Sequence, residues 1–187
     1  MAKQVSERAD VLPLLGEVFR EHGYEGASLA RITAATGLGK GSLYHFFPGG
    51  KEEMAAAVLA EIDGWFEREI YAPLRDGADP AAAIDHMFAA CDAYFRSGRR
   101  VCLVGAFALA DTRDRFAVAL RDYFAAWVAA LAAALQRLGR TEIDAHAAAE
   151  AVVGAVQGAI VLARALGDTA VFTRLLGEAR AAVTALV

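Results

Sequence analysis

Arg31, Lys40 and Lys51 stand in a stretch, Ser28 to Lys51, that holds no Asp or Glu, so three cations and no acid give it +3 in a chain of formal net charge -4. A local reversal of sign suits docking onto a polyanionic backbone, while a pI near 5.6 excludes a generally sticky polycation. Gly41, Ser42, Tyr44 and His45 lie between these cations. In such a role Lys40 reaches a phosphate or a guanine edge, Gly41 and Ser42 allow close approach, and Tyr44 and His45 touch a phosphate or a thymine methyl. Other chemistry lacks its residue sets. There is no nucleophile elbow, no phosphate-binding glycine loop and no HExxH, so neither enzyme activity nor a cofactor is expected. Cys91, Cys102 and His86 lack the tight spacing of a metal site, and both cysteines fall on apolar faces where a buried free thiol is ordinary.

Four helices must position the basic stretch. Val11, Leu14, Leu15, Val18 and Phe19 recur at helical spacing and predict a helix to about His22, stopped by Gly23. Pro13 falls in its first turn if Asp10 is the N-cap, and bends it if the helix starts at Ser6. Ser28 caps a second helix expected to bury Leu29, Ile32 and Ala35. After the tight turn Thr36-Gly37-Leu38-Gly39, a third helix over 40–47 buries Leu43, Phe46 and Phe47 and turns Lys40, Gly41, Tyr44 and His45 outward, with Ser42 at the edge. Pro48-Gly49-Gly50 breaks the chain before a fourth helix, where Lys51 and the first free N–H groups favour a phosphate. Two helices joined by a short glycine turn form a helix-turn-helix, whose second helix enters the major groove.

The remainder reads as helix throughout, for about nine helices and an all-α fold. The division expected is a helix-turn-helix headpiece over 1–50 and an effector-binding and dimerisation body over 51–187. Trp65, Phe66, Phe88, Tyr94, Phe95, Phe107, Phe124 and Trp127 pack a core or line an apolar pocket, with His86 and Tyr94 as polar contacts. Ala147, Ala151, Gly154, Gly158 and Val161 form a small-residue stripe on the penultimate helix, beside Gln157, and Phe172, Leu176, Val183 and Leu186 mark one face of the last. Small residues admit close helix approach, within one chain or between two. The N-terminus, MAKQVSERAD, lacks the apolar core of a signal peptide, and the apolar runs over 101–110 and 151–163 fall short of the ~18 residues of a span. A cytoplasmic protein with no membrane partner is expected.

Gly23-Tyr24, Ser28, Thr36-Gly37-Leu38 and the run Lys40-Gly-Ser-Leu-Tyr44-His45-Phe-Phe47-Pro, followed by Lys51-Glu-Glu-Met54, resemble the TetR/AcrR family of bacterial transcriptional repressors. Two departures stand out: Gly39 occupies the usual Ser cap, and Gly49-Gly50 makes the turn before Lys51 one residue longer. That longer turn resembles a sub-branch of efflux-operon repressors responding to drug-like or flavonoid compounds. The resemblance implies DNA contacts from Ser28, Arg31, Lys40, Gly41, Ser42, Tyr44, His45 and Lys51, an effector pocket among the middle helices, and a homodimer through the last two. It implies a repressor that holds a palindromic double-stranded operator as a dimer and is released by a small, largely apolar or aromatic effector. A helical small-molecule carrier or sensor without a DNA role is the alternative, and a DNA-organising member of the same fold that needs no ligand is a third reading.

Overall fold

The computed structural model describes residues 7–184; Ser6 and Leu186, both invoked above, lie outside that range. Among the described residues there are nine helices and no strand. Helix α1 (Arg8–Gly26) starts with Glu7 as N-cap, and the Glu7 N–H donates to the Asp10 carboxylate at 3.3 Å. Neither expected start holds, and Pro13 sits inside the helix beyond its first turn. Gly23 takes φ 67°, ψ 177°, so the regular helix ends at His22 as anticipated.

Ser28 caps α2 (Leu29–Thr36), accepting from the Arg31 N–H at 3.4 Å. Gly37 follows in the left-handed region, its N–H donating to the Thr33 carbonyl. Ala35 is exposed rather than buried, and Thr36 takes the inward place. Its hydroxyl is satisfied there, donating to the Ile32 carbonyl at 2.7 Å and accepting from Leu38 N–H at 3.3 Å. Helix α3 (Lys40–Phe46) buries Leu43, with Phe47 buried just beyond its end and Phe46 only half-buried.

Helix α4 is α-helical over Gly50–Phe66, opens into a π turn over Glu67–Tyr71 and closes as an α-helix over Ala72–Asp76. A proline such as Pro73 would break a regular helix. Instead, the π turn lies immediately before Pro73, whose ring would meet the Glu69 carbonyl in a regular helix, and the chain continues. The Arg137 guanidinium then caps the end of α4, donating to the carbonyls of Leu74 (3.1 Å), Arg75 (3.0 Å) and Gly77.

Asp79 caps α5 (Pro80–Tyr94) through Ala81 and Ala82 N–H. Helix α6 (Leu103–Ala108) precedes α7, a 3-10 turn over Asp111–Phe116 that runs on as α-helix over Ala117–Arg137. Thr141 caps α8 (Glu142–Leu166), and left-handed Gly167 ends it before α9 (Thr169–Thr184). Gly98 is required sterically: a Cβ there would come within 2.7 Å of Phe172. Asp111–Arg137 and Glu142–Leu166 are each long and apolar enough to cross a membrane, which counting uninterrupted apolar runs overlooked, though 44% and 39% of their apolar windows are buried within the protein.

The chain forms two compact units, one of residues through Asp63 with Leu103–Leu120, the other of Gly64–Cys102 with Arg121 onward. The first extends past residue 50 because α4 supplies buried Met54, Val58 and Leu59, and α6 with the start of α7 joins α1 in one aromatic cluster, Phe19, Tyr24, Phe107 and Phe116, with centroids 5.5–6.1 Å apart.

Candidate nucleic-acid interface

The exposed face of α3 follows from its register. With Leu43 fully buried, Lys40, Gly41, Ser42, Tyr44 and His45 all emerge to solvent, Tyr44 at 49% exposure. Lys40 has no ion pair or side-chain hydrogen bond among the described residues, so its charge is uncommitted. A methyl group on Gly50 would lie 3.6 Å from the Tyr44 ring, so the ring rests against a backbone that only glycine readily supplies, at φ 67°.

The other two cations of the basic stretch are committed internally. The Arg31 guanidinium donates to the Gly26 carbonyl at 2.6 Å and thereby joins α2 to the end of α1. Lys51 turns back onto α1, its ammonium donating to the Tyr24 carbonyl at 3.0 Å, lying 4.3 Å from the Tyr24 ring centroid and 3.6 Å from the Glu25 carboxylate. The start of α4 is occupied as well, because Gly49 N–H donates to Glu53 at 2.7 Å. A carboxylate of the chain thus takes the position expected for a phosphate.

Arg8 was not singled out from sequence, yet it fixes α3. Its guanidinium donates to the Phe46 carbonyl (3.1 Å) and to Glu53 (3.2 Å), and stacks 4.8 Å from the Phe47 centroid. No local pattern signals a contact across 38 to 45 residues of sequence. Arg115 acts similarly within the same unit, pairing with Glu52 at 2.7 Å and lying 5.4 Å from the Tyr24 centroid; the Glu52 hydrogen bond, then the neighbouring Tyr24, hold its proton more firmly than usual.

A short basic helix with an outward aromatic, held by a left-handed glycine turn on a three-helix core, matches known DNA-binding regulators. The family model described as bacterial regulatory proteins, tetR family, matches residues 16–58, and that described as transcriptional regulator LmrA/YxaF-like, C-terminal domain, matches residues 80–177. The chain is a TetR-family transcriptional regulator. Two relatives from Bacillus subtilis (strain 168) support this at 27% identity: the HTH-type transcriptional regulator YxaF over 87% of each chain, and LmrA over 83% of this chain and 85% of its own. A TetR transcriptional regulator from Legionella pneumophila shares the fold with a TM-score of 0.79 at 20% identity over the whole of both chains. CifR, solved in complex with 26-bp double-strand operator DNA, is similar with a TM-score of 0.76 at 25% identity over 98% of both chains.

The second unit of this TetR-family regulator holds a separate aromatic cluster centred on Phe66, which is fully buried. Its ring lies 4.8 Å from Tyr123, 5.0 Å from Tyr94, 5.2 Å from Trp65 and from Trp127, and 6.4 Å from Phe95. Tyr71 donates its hydroxyl to the Tyr123 carbonyl at 3.0 Å, and Trp127 Nε1 points at Met87 Sδ at 3.4 Å. The Tyr123 hydroxyl is buried without a hydrogen-bond partner among the described residues, and burial pushes its pKa well up.

Several pocket candidates fall elsewhere. Phe107 belongs to the first unit's cluster, His86 is solvent-exposed, Phe88 is buried on α5, and Phe124 is half-exposed beside Tyr123. In this cluster it is the Tyr123 hydroxyl, not His86, that is buried without a partner among the described residues, and an aromatic repeat alone does not reveal which hydroxyl that is. Burial, then the neighbouring Cys102, raise the Cys91 thiol far above its ordinary range, which keeps it protonated and unreactive. No group of three His, Cys, Asp or Glu side chains suited to a metal occurs among the described residues.

The α8 stripe and the α9 candidates separate sharply. Ala147, Ala151, Gly154, Gly158 and Val161 are all exposed, whereas Phe172, Leu176 and Val183 are buried at 0%, 7% and 3% exposure. These three pack inward within one protomer, so they are not an outward dimer face. Helical periodicity marks an apolar face without telling which neighbour covers it. The outward flank of α9 toward α8 is made by Leu175, Ala179 and Ala182, which line a groove of about 600 Å³ between the two helices.

Proposed function

We propose that this regulator is a ligand-responsive repressor: a dimer reads a palindromic operator through two copies of α3, and a small, largely apolar effector held by the body releases it. The observation that carries this reading is the outward, internally uncommitted face of α3, with Lys40 at its N-terminal end and Tyr44 set against Gly50. Lys40 and His45 approach bases or phosphates, Gly41 and Ser42 permit the close fit, and Ser28 N-terminal to α2 lies where a phosphate is favoured. Arg31 and Lys51 act mainly by holding the headpiece together. One headpiece therefore offers little free positive charge, and two on a two-fold axis are needed for a specific site.

Residues 1–50 carry DNA recognition in this reading, and 51–187 carry effector binding and dimerisation. Trp65, Phe66, Tyr94, Phe95 and Trp127 supply an apolar surround, and the Tyr123 hydroxyl orients a polar group of the effector. The effector acts by preferring the conformation less suited to DNA, a coupling typically of about 1–3 kcal/mol. Such a protein works in the cytoplasm, where its operator is.

A gel-shift titration with DNA from upstream of the protein's own gene tests this. Salt-dependent, sequence-selective binding is expected, and Lys40→Ala or Tyr44→Ala should weaken it about tenfold or more while leaving the fold intact. Unchanged affinity in both variants removes α3 from the interface, and no binding at moderate salt favours a helical carrier or sensor.

A further inference from the structure

We propose that Arg8 and Glu53 form an ionic clasp that sets the pose in which α3 presents Tyr44, so both are positioning residues for operator recognition although neither touches DNA. The proposal rests on the reading of α3 as the recognition helix. At seven residues (Lys40–Phe46), α3 is too short to hold itself, since an isolated helix needs about 12–15 residues to be even marginal in water. Buried Leu43 and Phe47 anchor its inner face. Apolar packing is non-directional and leaves the tilt of so short a helix open, and the carbonyls of its last turn have no partner within the helix.

Arg8, the first residue of α1, supplies the missing direction. Its Nε donates to the Phe46 carbonyl at 3.1 Å, its Nη2 donates to Glu53 Oε1 at 3.2 Å, and its guanidinium carbon lies 4.8 Å from the Phe47 ring centroid. A guanidinium is a rigid planar fork, so these contacts fix the end of α3 against the starts of α1 and α4 at once. The side chains of Arg8 and Glu53 are 49% and 35% exposed. An ion pair this open adds little stability, so its value is geometric.

The Pro48-Gly49-Gly50 turn carries that geometry to Tyr44. Glu53 Oε2 accepts from Gly49 N–H at 2.7 Å, and a Cβ on Gly49 would crowd the same oxygen and the Glu53 Cβ at 3.2 Å. Gly50, left-handed at φ 67°, donates its N–H to the Phe47 carbonyl at 2.9 Å and backs the Tyr44 ring, whose Cε1 would lie 3.6 Å from a Cβ there. Arg8, Glu53, Gly49, Gly50 and Tyr44 thus form one continuous path, in which the first glycine admits the carboxylate and the second seats the recognition tyrosine.

Operator titration across a salt series tests the clasp, with the full wild-type chain as reference. Arg8→Ala and Glu53→Ala should each weaken sequence-selective binding about tenfold, with a urea midpoint close to wild type. The sign for Glu53→Ala is decisive, because deleting an acid from a DNA-binding headpiece strengthens binding on charge alone. In Arg8→Ala the slope of log K against log salt should match wild type, whereas loss of a phosphate contact would lower it by about 0.9. Affinity at or above wild type in either variant, or a lowered slope in Arg8→Ala, overturns the clasp and leaves α3 as the reader. A urea midpoint far below wild type also overturns it, because the pair then serves stability. No selective binding by wild type overturns the reading of α3 and the clasp with it. Hydrogen exchange gives a readout without DNA: Arg8→Ala should speed amide exchange about threefold or more over residues 44–50 but not over 29–36, and unchanged exchange at 44–50 overturns the proposal.

Discussion

The two aromatic clusters differ in what their polar neighbours do. Around Tyr24 the cations are engaged: Lys51 and Arg115 both lie near its ring, Lys51 also holds its carbonyl, and Arg115 pairs with Glu52. Around Phe66, the Tyr123 hydroxyl is buried and has no partner among the described residues. A buried hydroxyl without a partner costs about 1–3 kcal/mol. The first cluster thus spends its polar groups on holding its helices together, whereas the second leaves one hydroxyl without a partner among the described residues.

The largest expected effect lies at the centre of the second cluster. Phe66→Ala should destabilise the protein by about 3–5 kcal/mol in urea unfolding, the usual cost of an aromatic cavity in a packed core. A loss below ~1 kcal/mol would mean that the rings near Phe66 do not hold that unit together.

An alkaline titration comes next. Cys91 and Tyr123 are kept neutral by burial, so their folded pKa values lie above the ordinary 9.0 and 10.0. The stability they contribute is fully present below the unfolded values and is lost as pH rises toward the folded ones. Above pH ~9 the unfolded chain gives up the Cys91 proton while the folded chain retains it, so stability falls by about 1.4 kcal/mol per pH unit for that group. Cys91→Ala should flatten the decline between pH 9 and 10, whatever its effect at neutral pH; an unchanged slope would show that the thiol is not held neutral.

Lys51 probes the first cluster more gently. Lys51→Met removes a hydrogen bond to the Tyr24 carbonyl and a cation beside its ring, for a loss of about 1 kcal/mol in thermal or urea unfolding. Operator affinity should change much less than in Lys40→Ala. Equal losses of affinity would return Lys51 to the DNA interface.

Tyr123→Phe has the smallest expected effect and the opposite sign. Removing an unanswered hydroxyl should leave the ligand-free protein unchanged or up to ~1 kcal/mol more stable. Destabilisation beyond ~1 kcal/mol would show that the hydroxyl already has a role in the folded chain.

Helix existence and the headpiece cap were legible in the residues: Ser28 caps α2 as expected, and Gly37 ends it in the left-handed region. Those signals are local, since each is a side chain or glycine acting within a turn of its own position. The outward set of α3 was equally readable, because one buried residue, Leu43, fixes the orientation of a short helix. Pro73 shows the limit even of local rules, since a π turn before it let α4 continue.

What sequence alone determined, then, is the family, the helices and the residues α3 turns to solvent. Tertiary structure decided which charges are free and which apolar faces are covered. Lys51, Arg31 and Lys40 look alike in the chain, but only Lys40 is left uncommitted, because the α1 carbonyls of Tyr24 and Gly26 take the other two. Phe172 and Gly154 both stand on apolar helical faces; one is sealed inside its protomer and the other is open. Periodicity sets the direction of a side chain from its own helix axis, and only the packing of the other helices determines what it meets there.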